Sequence, residues 1–112
     1  MGVTKALDYS DKQLNLASIA KALAHPARVA ILDHLIAAKR CINSDLVQEL
    51  GLAQPTISQH LQELKKAQLI KGTVSGTRLH YCINRDVWEA TQDLIGIFFK
   101  QFEDAEDTKV CC

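Results

Sequence analysis

Gly51-Leu52-Ala53-Gln54-Pro55-Thr56-Ile57-Ser58-Gln59-His60-Leu61-Gln62-Glu63-Leu64-Lys65-Lys66 is the most informative run of this chain. Gly51 suits the end of a helix, because glycine takes the left-handed conformation there without steric cost. Pro55 suits the first turn of the next helix, where a missing N–H costs nothing. From there Ile57, Leu61 and Leu64 form a narrow apolar stripe at helical spacing. Thr56, Gln59, Gln62, Glu63 and Lys66 lie opposite, with Ser58 and Lys65 on one flank and His60 on the other. Upstream, Ser44 or Asp45 can cap a short helix in which Leu46 and Leu50 stack at i, i+4. A short helix, a glycine turn and a second helix with a polar outer face make a helix-turn-helix.

Working outward, residues 12–24 place Leu16, Ile19, Ala20 and Leu23 on one face of a first helix, which His25-Pro26 breaks. Val29, Leu32, Leu35 and Ile36 mark a second helix from Pro26, ending near Lys39-Arg40, and residues 41–43 read as a short extended piece. Downstream, residues 69–74 and 77–83 flank Ser75-Gly76 as a hairpin in which Leu79, Tyr81 and Ile83 alternate with Arg78, His80 and Cys82, giving a buried face. The last helix, residues 86–103, reads as apolar almost all round and requires cover on more than one side. With no repeat or linker in the chain, the expected organisation is an arm at residues 1–11, one folded domain at 12–103 and a cysteine-bearing tail at 104–112.

A chain of 112 residues, 47% apolar, fits a single domain of mainly α class with a small hairpin. So small a monomer buries only about two-thirds of its unfolded surface, which makes a second subunit the natural cover for the last helix. The net charge of zero is unevenly spread: residues 51–85 carry five cations against Glu63, and residues 86–112 carry seven acids against two lysines. That pattern suggests one surface that meets polyanions and another turned away. Residues 94–99 form the longest uncharged, mainly apolar run, far short of the ~20 residues of a membrane span. Residues 1–18 carry no secretion-signal pattern, so the expected setting is cytoplasmic, with no membrane partner. Cys41, Cys82, Cys111 and Cys112 are then expected as reduced thiols.

Three segments resemble the ArsR/SmtB family of winged-helix repressors: Lys21-Ala22-Leu23-Ala24-His25-Pro26-Ala27-Arg28, Asp45-Leu46-Val47-Gln48-Glu49-Leu50-Gly51-Leu52 with Thr56-Ile57-Ser58-Gln59-His60-Leu61, and Ala67-Gln68-Leu69-Ile70 running into Gly76-Thr77-Arg78-Leu79-His80-Tyr81. The resemblance covers roughly residues 14–103. It implies a winged helix-turn-helix, a homodimer built on the first and last helices, and an operator released by an inducer. Chemistry assigns the contacts. Gln54, Thr56, Ser58, Gln59 and His60 project from the first turns of the helix after the turn, where side chains reach base edges. Lys65, Lys66, Lys71 and Arg78 are placed to hold phosphates, with Arg78 near the wing tip as a minor-groove probe.

The histidines that zinc-sensing relatives carry on the last helix are missing here, and Cys41-Ile42-Asn43 retains one thiol of the Cys-x-Cys seen in arsenic and cadmium sensors. Cys111-Cys112 resembles the terminal pairs through which other members bind arsenite or antimonite. These soft centres take three thiolates. Cys111 and Cys112 would supply two and Cys41, or in its place Cys82, the third, with no organic cofactor. The alternative is a repressor of the same fold that answers to thiol redox or persulfide, Cys111 or Cys112 pairing with Cys41 or Cys82. An enzyme is disfavoured by the lack of a phosphate loop, a carboxylate pair or an activated nucleophile, and a metal carrier by the lack of Cys-x-x-Cys. His25 and His34 read as helix-boundary and surface residues.

Overall fold

A computed structural model describes residues 8–42, 50–76 and 78–104. The expected short helix before Gly51, most of the N-terminal arm and the tail with Cys111 and Cys112 lie outside the described residues.

Helix α1 (Asp11–Ala22) opens on a reciprocal cap. Ser10 Oγ accepts from the Gln13 N–H at 3.1 Å, and Gln13 Oε1 accepts from the Ser10 N–H at 3.0 Å, so two otherwise orphaned donors are satisfied. Helix α2 (Pro26–Ala38) follows almost at once: His25 Nδ1 accepts from the Ala27 N–H at 3.0 Å and Pro26 sits in the first turn, so His25 is a cap. Helix α3 (Gln54–Lys66) starts one residue before Pro55. Strands β1 (Ile70–Ser75) and β2 (Arg78–Ile83) form an antiparallel hairpin, and helix α4 (Arg85–Asp104) returns to pack on α1.

Ile31, Leu35, Ile57, Leu64, Leu69 and Ile70 are fully buried, so the core lies where α2, α3 and the root of the hairpin meet. Each such side chain contributes about 1.5–3 kcal/mol through burial. Ile42 extends the hairpin at its root, exchanging hydrogen bonds of 2.9 and 2.8 Å with the backbone of Tyr81.

Three expectations need correction. Ser75 pairs with Arg78, so Ser75 belongs to the strand and the hairpin loop begins at Gly76 rather than at Ser75. Gly76, with φ of +66°, takes the left-handed position that begins it. Leu79 is exposed, because the outer half of the hairpin projects beyond the core and only Tyr81 and Ile83 reach back to it. Helix α4 is one-faced rather than apolar all round. Val87, Trp88, Ile95, Phe98 and Phe102 share a broad stripe, with Asp86, Glu89, Asp93 and Lys100 opposite. Val87, Trp88 and Ile95 pack against the core, while Phe98, Phe99 and Phe102 stand in solvent.

Between α3 and β1 the chain turns through Gln68, whose φ of +63° is left-handed and whose side chain is exposed. Gln68→Gly removes the Cβ clash at that position. It should therefore raise stability by about 0.5–1 kcal/mol, read as a higher denaturant midpoint with an unchanged slope.

Candidate nucleic-acid interface

Helix α3 buries Ile57, His60, Leu61 and Leu64, a complete i, i+3, i+4, i+7 face. Gln54, Thr56, Ser58, Gln59, Gln62, Lys65 and Lys66 are consequently turned to solvent. Gln54 Nε2 donates to Ser58 Oγ at 3.1 Å, which aligns these two side chains along the first turn. Lys66 Nζ lies 3.3 Å from Glu63 Oε2, an exposed i, i+3 pair that adds little stability. Beside α3, the hairpin presents Lys71 and Arg78 to the same solvent. Gly72 leaves room for two side chains: a Cβ there would stand 3.2 Å from Leu79 Cδ1 and 3.5 Å from Lys65 Nζ, so the Lys65 side chain reaches over the backbone of β1.

His60 departs from the expected set. It is only 8% exposed and points into the protein, because its position completes the buried face of the helix. Its Nδ1 accepts from Arg28 Nε at 3.2 Å, and its ring lies 4.4 Å from that of His25. Burial, then the neighbouring His25 and Arg28, hold its pKa below the usual histidine value of 6.5. Arg28 is the residue that sequence reading missed. Its Nη1 also donates to the carbonyls of Lys21 and Ala22 at 3.3 and 3.4 Å, so one guanidinium joins the end of α1, the start of α2 and the middle of α3.

The cysteines also differ from expectation. Cys41 and Cys82 form a disulfide, with Cα atoms 4.4 Å apart, where reduced thiols were expected. The register explains it. Ile42 and Tyr81 exchange both backbone hydrogen bonds, so Cys41 faces Cys82 across the adjacent non-hydrogen-bonded position, where antiparallel Cα atoms lie about 4.5 Å apart. The pairing was hidden because it depends on a bridge between residues 39 positions apart. Among the described residues no cluster of three or more His, Cys, Asp or Glu side chains is placed to hold a metal ion. Of the expected metalloid ligands, Cys111 and Cys112 lie outside the described residues.

Comparison with known proteins agrees with this geometry. Residues 25–71 match the model of "Bacterial regulatory protein, arsR family". The chain is 32% identical to the arsenical resistance operon repressor of Staphylococcus xylosus, over 63% of this chain and 67% of that one. The chain belongs to the ArsR family. It is also 43% identical to the transcriptional repressor SmtB of Mycobacterium tuberculosis over 54% of this chain, a match that spans 44% of the length of that relative. The solution structure of the homodimeric winged helix-turn-helix DNA-binding domain of Mb0332 from Mycobacterium bovis aligns with a TM-score of 0.62 at 28% identity, covering 86% of this chain and 93% of that one. The fold is a winged helix-turn-helix, with β1–β2 as the hairpin wing. These relatives are transcriptional regulators, not enzymes.

The lowered pKa of His60 makes folding stability depend on pH. The unfolded chain takes up that proton near pH 6.5, the folded chain only further down. Stability from this site is therefore complete above pH 6.5 and declines as pH falls below it. The loss of unfolding free energy between pH 7.5 and pH 5 should be smaller in His60→Gln than in the parent chain; equal losses would sink the assignment.

Proposed function

We propose that this protein is a DNA-binding transcriptional repressor, acting as a homodimer on a palindromic operator and released from it by chemistry at its cysteines. The observation that carries this reading is the outward polar face of α3 set against the cationic wing. Gln54, Thr56, Ser58 and Gln59 offer the amide and hydroxyl groups that read base edges, and glutamine matches the donor–acceptor pair of adenine. Lys65, Lys66, Lys71 and Arg78 flank them as phosphate partners. The family membership and the repressors among the relatives support the same conclusion.

The dimer reading rests on α4. Phe99 and Phe102 are each 68% exposed, and Ile97, Phe98 and, from α1, Leu14 add to the uncovered apolar surface. The Mb0332 domain, similar over most of its length, is homodimeric.

For the inducer, arsenite or antimonite bound by three thiolates fits the soft-ligand chemistry of the chain. Cys111 and Cys112 would give two ligands, and Cys41 or, less readily, Cys82, once reduced, the third. The disulfide favours a second reading in which the redox state of Cys41 and Cys82 is itself the signal, the oxidised form binding operator more weakly. The two exclude each other at any one moment, since a disulfide sulfur is no longer a thiolate ligand.

Fluorescence anisotropy on the DNA upstream of the gene tests all of this. Arg78→Ala should weaken binding uniformly across sequences and reduce the salt slope by ~1, whereas Gln59→Ala should relax base preference at a cost of about 1–3 kcal/mol. Phe99→Glu with Phe102→Glu should convert the dimer to monomer by sedimentation and abolish tight binding. Release by arsenite under full reduction, lost in Cys111→Ser/Cys112→Ser, would establish the metalloid reading. Release by oxidant alone that survives those changes but is lost in Cys41→Ser would establish the redox reading. A specific shift that never appears would overturn the repressor itself.

A further inference from the structure

The Cys41–Cys82 disulfide forms part of the wall of a cavity of about 620 Å³ between the end of α2, strand β2 and the first turns of α4. That volume is typical of small-molecule sites. Lys39, Arg40 and Arg85 line the cavity with one carboxylate, that of Glu89, and no ion pair among the described residues engages the three cations. Ile36 and Trp88 supply apolar wall. A cationic, partly apolar cleft opening on a disulfide matches one kind of ligand: a small thiol that carries its own negative charge.

We propose that this cavity binds an anionic low-molecular-weight thiol, one bearing a carboxylate or sulfonate, and that the bound thiol reduces the Cys41–Cys82 disulfide. The proposal rests on the redox reading above and names its reductant. Cys41 is exposed and Cys82 half-buried, so the incoming thiolate attacks Cys41 Sγ. A sulfur–sulfur bond forms between the thiol and Cys41, the bond to Cys82 breaks, and Cys82 leaves as a thiolate. Lys71, its cross-strand neighbour, and the cations of the cavity favour that charge. A second thiolate attacks the thiol-derived sulfur of the mixed disulfide and frees Cys41, also as a thiolate. Two thiols are oxidised to one small disulfide, two electrons pass to the protein, and its thiolates take protons from water according to pH.

The test uses the full chain with Cys111→Ser and Cys112→Ser, oxidised so that the remaining pair is the only reducible bond. Reduction by 2-mercaptoethanesulfonate, 2-mercaptoethanol and cysteamine is followed by the fluorescence of Trp88, the one tryptophan in the chain, and by mass spectrometry of the mixed disulfide. Rates are corrected for thiolate concentration and intrinsic reactivity, using a small unstructured disulfide as the reference. At low salt the sulfonate should react at least about tenfold faster than cysteamine, the advantage shrinking in high salt and in Lys39→Gln/Arg85→Gln. Corrected rates independent of charge, or an advantage untouched by those substitutions, would overturn the cavity proposal and leave the redox reading standing. Failure of Cys41 and Cys82 to form a disulfide on oxidation, shown by two persistently titratable thiols, would overturn both.

Discussion

The seating of α3 on α2 decides which of its side chains meet solvent, and Arg28 is the pin in that seat. A helix held only by Ile57, Leu61 and Leu64 has an apolar stripe narrow enough to roll by part of a turn. Arg28 resists such rolling because its guanidinium has three specified acceptors, the carbonyls of Lys21 and Ala22 and His60 Nδ1. The first two belong to the C-terminal end of α1, where the helix dipole favours a cation. Rotation of α3 by one residue, about 100°, would withdraw His60 from Arg28 and bring glutamines into the core. The unmade bond to a charged donor and the desolvated amides would each cost on the order of 1–3 kcal/mol. The outward face of Gln54, Thr56, Ser58 and Gln59 therefore depends on an interaction made on the inward one.

The sulfur pair applies a comparable constraint to the hairpin. Besides the covalent bond, two hydrogen bonds between Ile42 and Tyr81, each worth about 0.5–1.5 kcal/mol net, and the packing of Leu35 and Ile42 in the core join the end of α2 to β2. With the disulfide, a loop spanning 41 residues is closed, which in chain-entropy terms stabilises the fold by about 4 kcal/mol. The constrained point adjoins the base of the wing, where β2 meets the end of α2.

Local pattern made much of this legible. The breaks at His25-Pro26 and before Pro55, the apolar spacing of α2 and α3, and the hairpin with its glycine all follow from residues within a few positions of one another. The exposed polar face of α3 did too. What escaped needed partners distant in sequence. Sequence alone places His60 on the DNA side because a flanking polar residue on a helix is ordinarily solvated, yet its i+3 spacing from Ile57 and i−4 spacing from Leu64 put it on the buried face. Only the presence of Arg28, 32 positions earlier, makes that burial affordable. The shift of the hairpin loop by one residue is the same lesson at short range. Turn chemistry allows a loop beginning at Ser75 or at Gly76, and pairing along the rest of the strands places Ser75 in the strand.

Helix α4 joins the two chemistries of the molecule along one rigid element. Trp88, in its first turn, borders the cavity beside the disulfide, and Phe98, Phe99 and Phe102, near its other end, form the apolar surface that the proposed dimer would cover. Twenty residues of helix span about 30 Å, so a small tilt at one end becomes a displacement of several ångströms at the other. In a two-fold dimer such a tilt changes the separation of the two α3 helices, which must match half-sites about 34–36 Å apart. A misfit of a few ångströms prevents the second helix from entering its groove while the first is docked. In the proposed dimer, chemistry at one wall of a small cavity would thereby become a mismatch with DNA, without either α3 helix having to unfold.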